Sequence, residues 1–252
     1  MVFATTRVDG SGKSQSCICK RLPPRMVREE GAQEAIRREA RALQALGGRG
    51  APRWIADGDD EHGPFVVMER VAFPSLAART ASGDRAFLDR ATRSAFSSLA
   101  LLHEASDAQG PLAMVHGDLS PSNLLVSASG EETKVIDFGL ASWRDAPRAP
   151  GGAFRGTLLC AAPEVARGES FDARADLFAL AASLAHAALG APLRTAAVTA
   201  ALLAEAAENP IDPRPLEGLF SSDVFDFLCA CLAFDRKDRP RGVPPAGVED
   251  GT

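Results

Sequence analysis

Residues 116–123 read HGDLSPSN and residues 137–139 read DFG. Each stretch is a loop next to a short strand-like piece, NLLVS after the first and TKVI before the second. Asp118 and Asn123 lie five positions apart, and Asp137 follows Asp118 by nineteen. Carboxylate and amide oxygens are what a hard cation such as Mg²⁺ takes together with phosphate, so Asn123 and Asp137 suit a metal while Asp118 is left as a base. Any one of the three alone reads as a turn or capping residue. Their combination on two loops reads as a site.

Outward from these loops the chain divides in two. Before them, MVFATTR and SCICKRL are strand-like runs separated by the turn-rich DGSGKSQ, which makes a hairpin. From about Glu29 to Leu46, Ala35, Ile36, Ala40, Leu43 and Leu46 recur at helical spacing, and Gly47 and Gly48 mark the stop. The apolar run PFVVMERV follows a further turn. From about Ala72 the pattern becomes Ala- and Leu-rich and helical, so a sheet-bearing part over 1–71 precedes a larger helical part over 72–252. Residues 145–152, DAPRAPGG, carry too much Pro and Gly for regular structure.

Composition excludes several functions. With 46% hydrophobic and 24% charged residues over 252 positions the chain has the make-up of a globular protein with a real core. A net charge of −5 argues against nucleic acid as a partner. The five cysteines, Cys17, Cys19, Cys160, Cys229 and Cys231, lack zinc-site spacing and follow no secretory signal, which fits reduced thiols in a cytoplasm. The uncharged run Leu177–Leu193 is at the short edge of a bilayer span and contains Ser183 and His186, so it reads as a buried helix of a soluble protein without membrane insertion. DGSGKS at 9–14 ends like a phosphate-binding P-loop, but Arg7 stands where that motif needs its first glycine, and a strand rather than a helix follows. Its glycines turn a hairpin.

The loops as a set resemble the eukaryotic-like Ser/Thr protein kinase family. The resemblance implies an α+β, two-lobed fold, with a small antiparallel-sheet lobe carrying one helix and a larger helical lobe. It implies transfer of the ATP γ-phosphate to a Ser/Thr hydroxyl of a protein substrate with Mg²⁺, and the roles of several residues. Lys20 in CICKRL resembles the strand lysine on the α/β-phosphates, and Glu39 in RREARAL resembles its helix partner. Asp118 is similar to the catalytic base, and Asn123 and Asp137 to the metal ligands. Met68 in PFVVMER looks like the residue controlling the back pocket, with Glu69 and Val71 offering backbone groups to adenine. GTLLCAAPE, 156–164, resembles the close of the activation loop, with Thr157 in the form typical of Ser/Thr kinases. Glu164 and Arg239 resemble a buried ion pair beneath it, and Asp176 the aspartate that braces the catalytic loop.

The sequence also departs from the family pattern. Gly117 occupies the place of an arginine that binds a phosphorylated activation loop, and Ser120 that of a lysine assisting the γ-phosphate. The Gly-rich strand expected ahead of VFATTR and a last helix after Arg239 are not in the 252 residues, so weak ATP binding and slow turnover are expected of them. HGDL with its following P-x-N is also similar to small-molecule phosphotransferases, and a pseudokinase acting as a binding module is the other alternative. GTLLCAAPE with DRKDRP speaks against the former, and intact Lys20, Asp118, Asn123 and Asp137 against the latter.

Overall fold

The computed structural model describes residues 1–8, 14–79, 84–146 and 156–243. The expected turn at 9–12, most of the loop at 145–152 and the last nine residues lie outside them.

The first lobe is a four-stranded antiparallel sheet with one helix. Strands β1 (Val2–Val8), β2 (Ser14–Arg21), β3 (Trp54–Asp60) and β4 (Gly63–Glu69) lie in the order β1-β2-β4-β3. In β4 the residues Pro64, Val66 and Met68 are buried in alternation, as the two-residue period of a strand requires. The register sets Lys20 across from Val66 and Ile18 across from Met68. That fixes which face of the sheet each side chain meets, since a slip by one residue would turn Lys20 to the other side.

Helix α1 (Glu30–Leu46) packs its buried stripe of Ile36, Glu39, Ala40, Leu43 and Leu46 against the sheet. It stops at Gly47, which takes the left-handed conformation at φ 58° and returns its N–H to the Leu43 carbonyl at 3.1 Å. A side chain at this position would strain a closing turn that glycine makes freely. Strand β3 is the element that alternation does not announce, because WIADGDD is polar and lies at the sheet edge.

The second lobe is mostly helical. Helix α2 (Arg85–His103) begins where the Asp84 carboxylate accepts the Phe87 N–H at 3.2 Å. Short pairs follow, β5 (Ser106–Asp107) with β6 (Gly110–Pro111), and β7 (Leu124–Val126) with β8 (Thr133–Val135). Then come α3 (Pro163–Ala166), α4 (Ala173–Leu189), α5 (Thr199–Glu208) and α6 (Ser222–Cys231).

Helix α4 is apolar around its whole circumference and buried on all sides, with Leu177, Phe178, Leu180 and Leu184 in the core. It starts at the Asp172 cap and ends before Gly190, so Ala191 to Leu193 of the apolar run lie beyond it. Among the described residues no helix is long and apolar enough to cross a membrane.

One continuous core joins the lobes through Phe138, which is fully buried between α1 and the second lobe. Burying such a side chain stabilises by about 1.5–3 kcal/mol. The DFG segment is therefore pinned by its middle residue, with its aspartate and glycine left at the cleft.

Candidate active site

The β7–β8 hairpin brings the two loops together. Leu124 pairs with Val135, and Ile136 donates its N–H to the Asn123 carbonyl at 3.0 Å, so Asn123 and Asp137 emerge side by side. The Asn123 side-chain N–H donates to the Asp118 carbonyl at 2.9 Å, which turns its amide oxygen away from that bond. Asp137 sits at φ 68° and ψ 72°, an uncommon conformation for a residue other than glycine. Strain of this kind persists where the surroundings over-determine it, here the buried Phe138 that follows.

Lys20 reaches down from β2. Its Nζ lies 2.6 Å from Glu39 Oε2 and 2.8 Å from Asp137 Oδ1. Glu39 is buried at 2% exposure while the Asp137 side chain is 47% exposed, so one partner belongs to the core and the other to the open cleft. Burial acts to lower the Lys20 pKa, but the two carboxylates outweigh it and raise it above the usual value. Burial acts to raise Asp137, and Lys20 overcomes that to hold it below the usual carboxylate range. Asp137 is therefore an ionised, accessible oxygen donor at neutral pH.

Asp118 is arranged otherwise. Burial raises its pKa, in part against a hydrogen bond from Thr157, whose N–H donates to Oδ1 at 2.8 Å. Gly156, at φ 122°, lets the chain pass so close that an added Cβ would stand 3.1 Å from the same oxygen. His116, fully buried, donates from Nε2 to the Ile136 carbonyl at 3.1 Å and accepts the Asp118 N–H at Nδ1 at 3.3 Å.

Beneath the loop lies Asp176 on α4, 1% exposed. It accepts the N–H groups of His116 at 2.7 Å and Gly117 at 2.9 Å, and lies 3.0 Å from His103 Nε2. Burial opposes its charge, yet these donors with His103 and His116 lower its pKa. Glu164 and Arg239 form a bidentate pair at 2.7 and 2.9 Å, also buried. Farther along the sheet from Lys20, Met68 is buried, Glu69 donates its N–H to the Arg53 carbonyl at 2.8 Å, and Val71 follows the end of β4.

Lys20, Glu39, Asp137, Asn123, Asp118 and Thr157 thus form one connected set, whereas Glu164, Asp176 and Arg239 lie under it. His103 and Arg38 escape a reading of the sequence, and Gly156 enters it only as the first residue of GTLLCAAPE. Arg38 Nη1 donates to the Ala141 and Ala146 carbonyls at 2.8 and 2.9 Å, more than a hundred positions away. No local spacing carries such a contact. Gly156 did carry a signal, as a glycine directly before Thr157.

Residues 7–243 match the protein kinase domain family. The chain is 30% identical over 251 residues to the tyrosine-protein kinase MasK of Myxococcus xanthus, covering 94% of this chain and 38% of that protein. It is 35% identical over 153 residues to the DNA damage-responsive serine/threonine-protein kinase RqkA of Deinococcus radiodurans, covering 60% of this chain and 22% of that protein. A probable serine/threonine-protein kinase of Streptomyces coelicolor is 31% identical over 172 residues, covering 63% of this chain and 24% of that protein. The chain spans well under half the length of each of these relatives.

Proposed function

The chain belongs to the protein kinase family, and from that premise we propose that it transfers the γ-phosphate of ATP to a serine or threonine hydroxyl of a protein. The observation that supports this reading is Lys20 ion-paired to both Glu39 and Asp137, together with Asn123, which the β7–β8 hairpin sets beside Asp137 and which donates to the Asp118 carbonyl. Lys20 binds the α/β-phosphates, and Glu39 holds its ammonium in place. Met68 shapes the inner wall of the adenine site, and the main chain at Glu69 and Val71 faces the base. Asp118 takes the proton of the acceptor hydroxyl, and the Thr157 N–H fixes its carboxylate for that role. The border of the two lobes falls near Val71, and the compartment is the cytoplasm.

The donor set fits Mg²⁺. Asp137 and the Asn123 amide oxygen are hard oxygen ligands, and Asp137 is ionised and open. Among the described residues no group of three or more His, Cys, Asp or Glu is placed to hold a metal alone. Asn123 and Asp137 would therefore share the ion with phosphate oxygens. When bound, it neutralises charge on the transferring phosphoryl group.

The Thr157 segment, whose N–H meets Asp118, and the buried Glu164–Arg239 pair that braces the residues after it favour a protein over a small-molecule acceptor. The test is phosphate transfer from labelled ATP to dephosphorylated casein, followed by phosphoamino-acid analysis. Asp118→Asn should lower transfer by about 10²–10⁴-fold with ATP binding kept. Phosphotyrosine as the main product, or ATP binding with no transfer by the unchanged chain, would overturn the reading.

A further inference from the structure

Arg194 is the largest fully buried side chain of the described residues, 1% exposed, in the segment that leaves α4. It has no carboxylate within ion-pair reach among the described residues, and its Nε and Nη2 have no hydrogen-bond partner. Glu205 on α5 supplies a compensating field from a distance, while its Oε2 accepts the Ala196 N–H at 3.2 Å. A buried guanidinium so poorly satisfied is a poor choice for stability, because burying a charge is costly unless it is paired. What it does make is specific. Nη1 donates to the Ala161 carbonyl at 2.7 Å and, more weakly, to the Leu158 carbonyl at 3.4 Å. Its guanidinium lies 5.4 Å from the centre of the Phe178 ring, and that of Arg239 lies 4.8 Å from the same ring.

The two carbonyls belong to the short 3-10 turn Leu158–Cys160 and its cap, directly after Thr157. Thr157, Ala161 and Ala162 wall one side of a small pocket, whose other walls include Gly117, Asp118 and, on α4, Ala175. The segment held by Arg194 thus borders Asp118, on the side of Thr157. It also carries the N–H that orients the Asp118 carboxylate.

We propose that Arg194 is a positioning residue for the acceptor: it clamps residues 158–161 from below, setting the wall of the acceptor pocket and, through Thr157, the carboxylate of Asp118. The inference rests on the protein phosphotransfer proposed above. It predicts that Arg194 matters to the protein substrate and not to ATP, since no ATP-facing residue touches it.

The test uses Arg194→Met, which keeps the stem and removes the charge, and Arg194→Lys, which keeps a donor. With dephosphorylated casein as acceptor, Arg194→Met should raise KM for casein and lower kcat/KM for it by about tenfold or more, because small misplacements at a reacting centre cost up to about 100-fold in rate. KM for ATP should stay within about twofold, and Arg194→Lys should recover part of the loss. The melting temperature of Arg194→Met should be unchanged or higher, as replacing a buried charge by an apolar side chain is often neutral or stabilising. Hydrogen exchange gives an activity-independent arm: amides of residues 157–161 should exchange faster in Arg194→Met, while those of α4 should not. A lower melting temperature with both KM values unchanged would make Arg194 merely structural. Equal rises in both KM values, or unaltered exchange at 157–161, would also overturn the proposal. If the unchanged chain phosphorylates neither casein nor itself, the phosphotransfer reading fails, and the exchange arm alone decides whether Arg194 holds the loop.

Discussion

The floor and the roof of the cleft hold their charges in opposite ways. In the floor, Asp176 is surrounded by donors from His103, His116 and Gly117, and Arg239 binds Glu164 with both terminal nitrogens. Arg239 also reaches the carbonyls of Ala233 at 2.7 Å and Phe234 at 3.1 Å. In the roof, one Lys20 ammonium is divided between Glu39 and Asp137, which come from different elements, and Asp137 is half open to water. A saturated buried network specifies one arrangement. A shared cation beside solvent can exchange a partner, and a phosphate arriving at Lys20 would compete with Asp137 while Glu39 stays in the core.

The largest effect should follow from breaking the floor. Arg239→Ala leaves Glu164 buried and unpaired, which costs about 3–5 kcal/mol. At this chain length that is a fall in melting temperature of about 10 °C. Lys20→Met in the roof should cost less, about 1–3 kcal/mol, because Glu39 can take up a proton and Asp137 can turn to water. Thermal melts of both variants test the ranking. A Lys20→Met melt below that of Arg239→Ala would invert the comparison.

Titration should separate the two regions by sign. Asp176 has a folded pKa lowered from the ordinary 3.8, so its stabilisation is complete above that value and is lost as pH falls through the folded one. Lys20 has a folded pKa raised from 10.5, so its stabilisation is complete below that value and is lost as pH rises through the folded one. Stability measured against pH should therefore lose its Asp176 share of the acid limb in Asp176→Asn, with the alkaline limb kept. Lys20→Met should flatten the alkaline limb, and also shrink the part of the acid limb that Asp137 owes to Lys20. An alkaline limb identical in Lys20→Met and the unchanged chain would show that Lys20 gains nothing from its partners. The rate should fall on the acid side at a pH above the ordinary 3.8 of an aspartate, since burial raises Asp118.

The floor and roof also differ in how much of them the amino-acid sequence discloses. Helix α1 is legible because its apolar residues keep a 3.6 period and Gly47 ends it. HGDLSPSN and DFG are legible because three polar residues on two short loops have little reason to lie beside strand-like runs unless they meet. Strand β3 is not, since an edge strand with DGDD exposes both its faces and loses the alternation. His103 gives no sign of its bond to Asp176, because the two are 73 positions apart and an α2 terminus is an ordinary place for a histidine. Arg194 reads as a loop arginine beside LGAPL, and only the packing of α4 under the 158–161 turn makes it a buried clamp. Long-range satisfaction of polar groups is a property of the assembled fold, not of local spacing.

The smallest effect is expected near one of the places where roof and floor are tied together. Arg38, beside Glu39 on α1, donates to the Ala141 and Ala146 carbonyls, and its guanidinium lies 5.5 Å from the centre of the Trp143 ring. Main-chain oxygens and an aromatic face therefore hold the helix that carries Glu39, where a phosphate would be needed if an arginine at 117 were to gather the segment. Gly117, at φ 76°, gives its N–H to Asp176 instead. Ser142 lies within the tethered stretch and pairs with Val115 through its own N–H and carbonyl, each at 2.8 Å. Alanine keeps both main-chain groups. Ser142→Ala should then leave the transfer rate within about twofold and the melting temperature within about 2 °C, as for a surface change that removes no packing. The check is the same casein assay on protein treated with a phosphatase beforehand. A loss greater than about tenfold that Ser142→Glu restores would mean that charge at 142, rather than the carbonyl tether, couples the two regions.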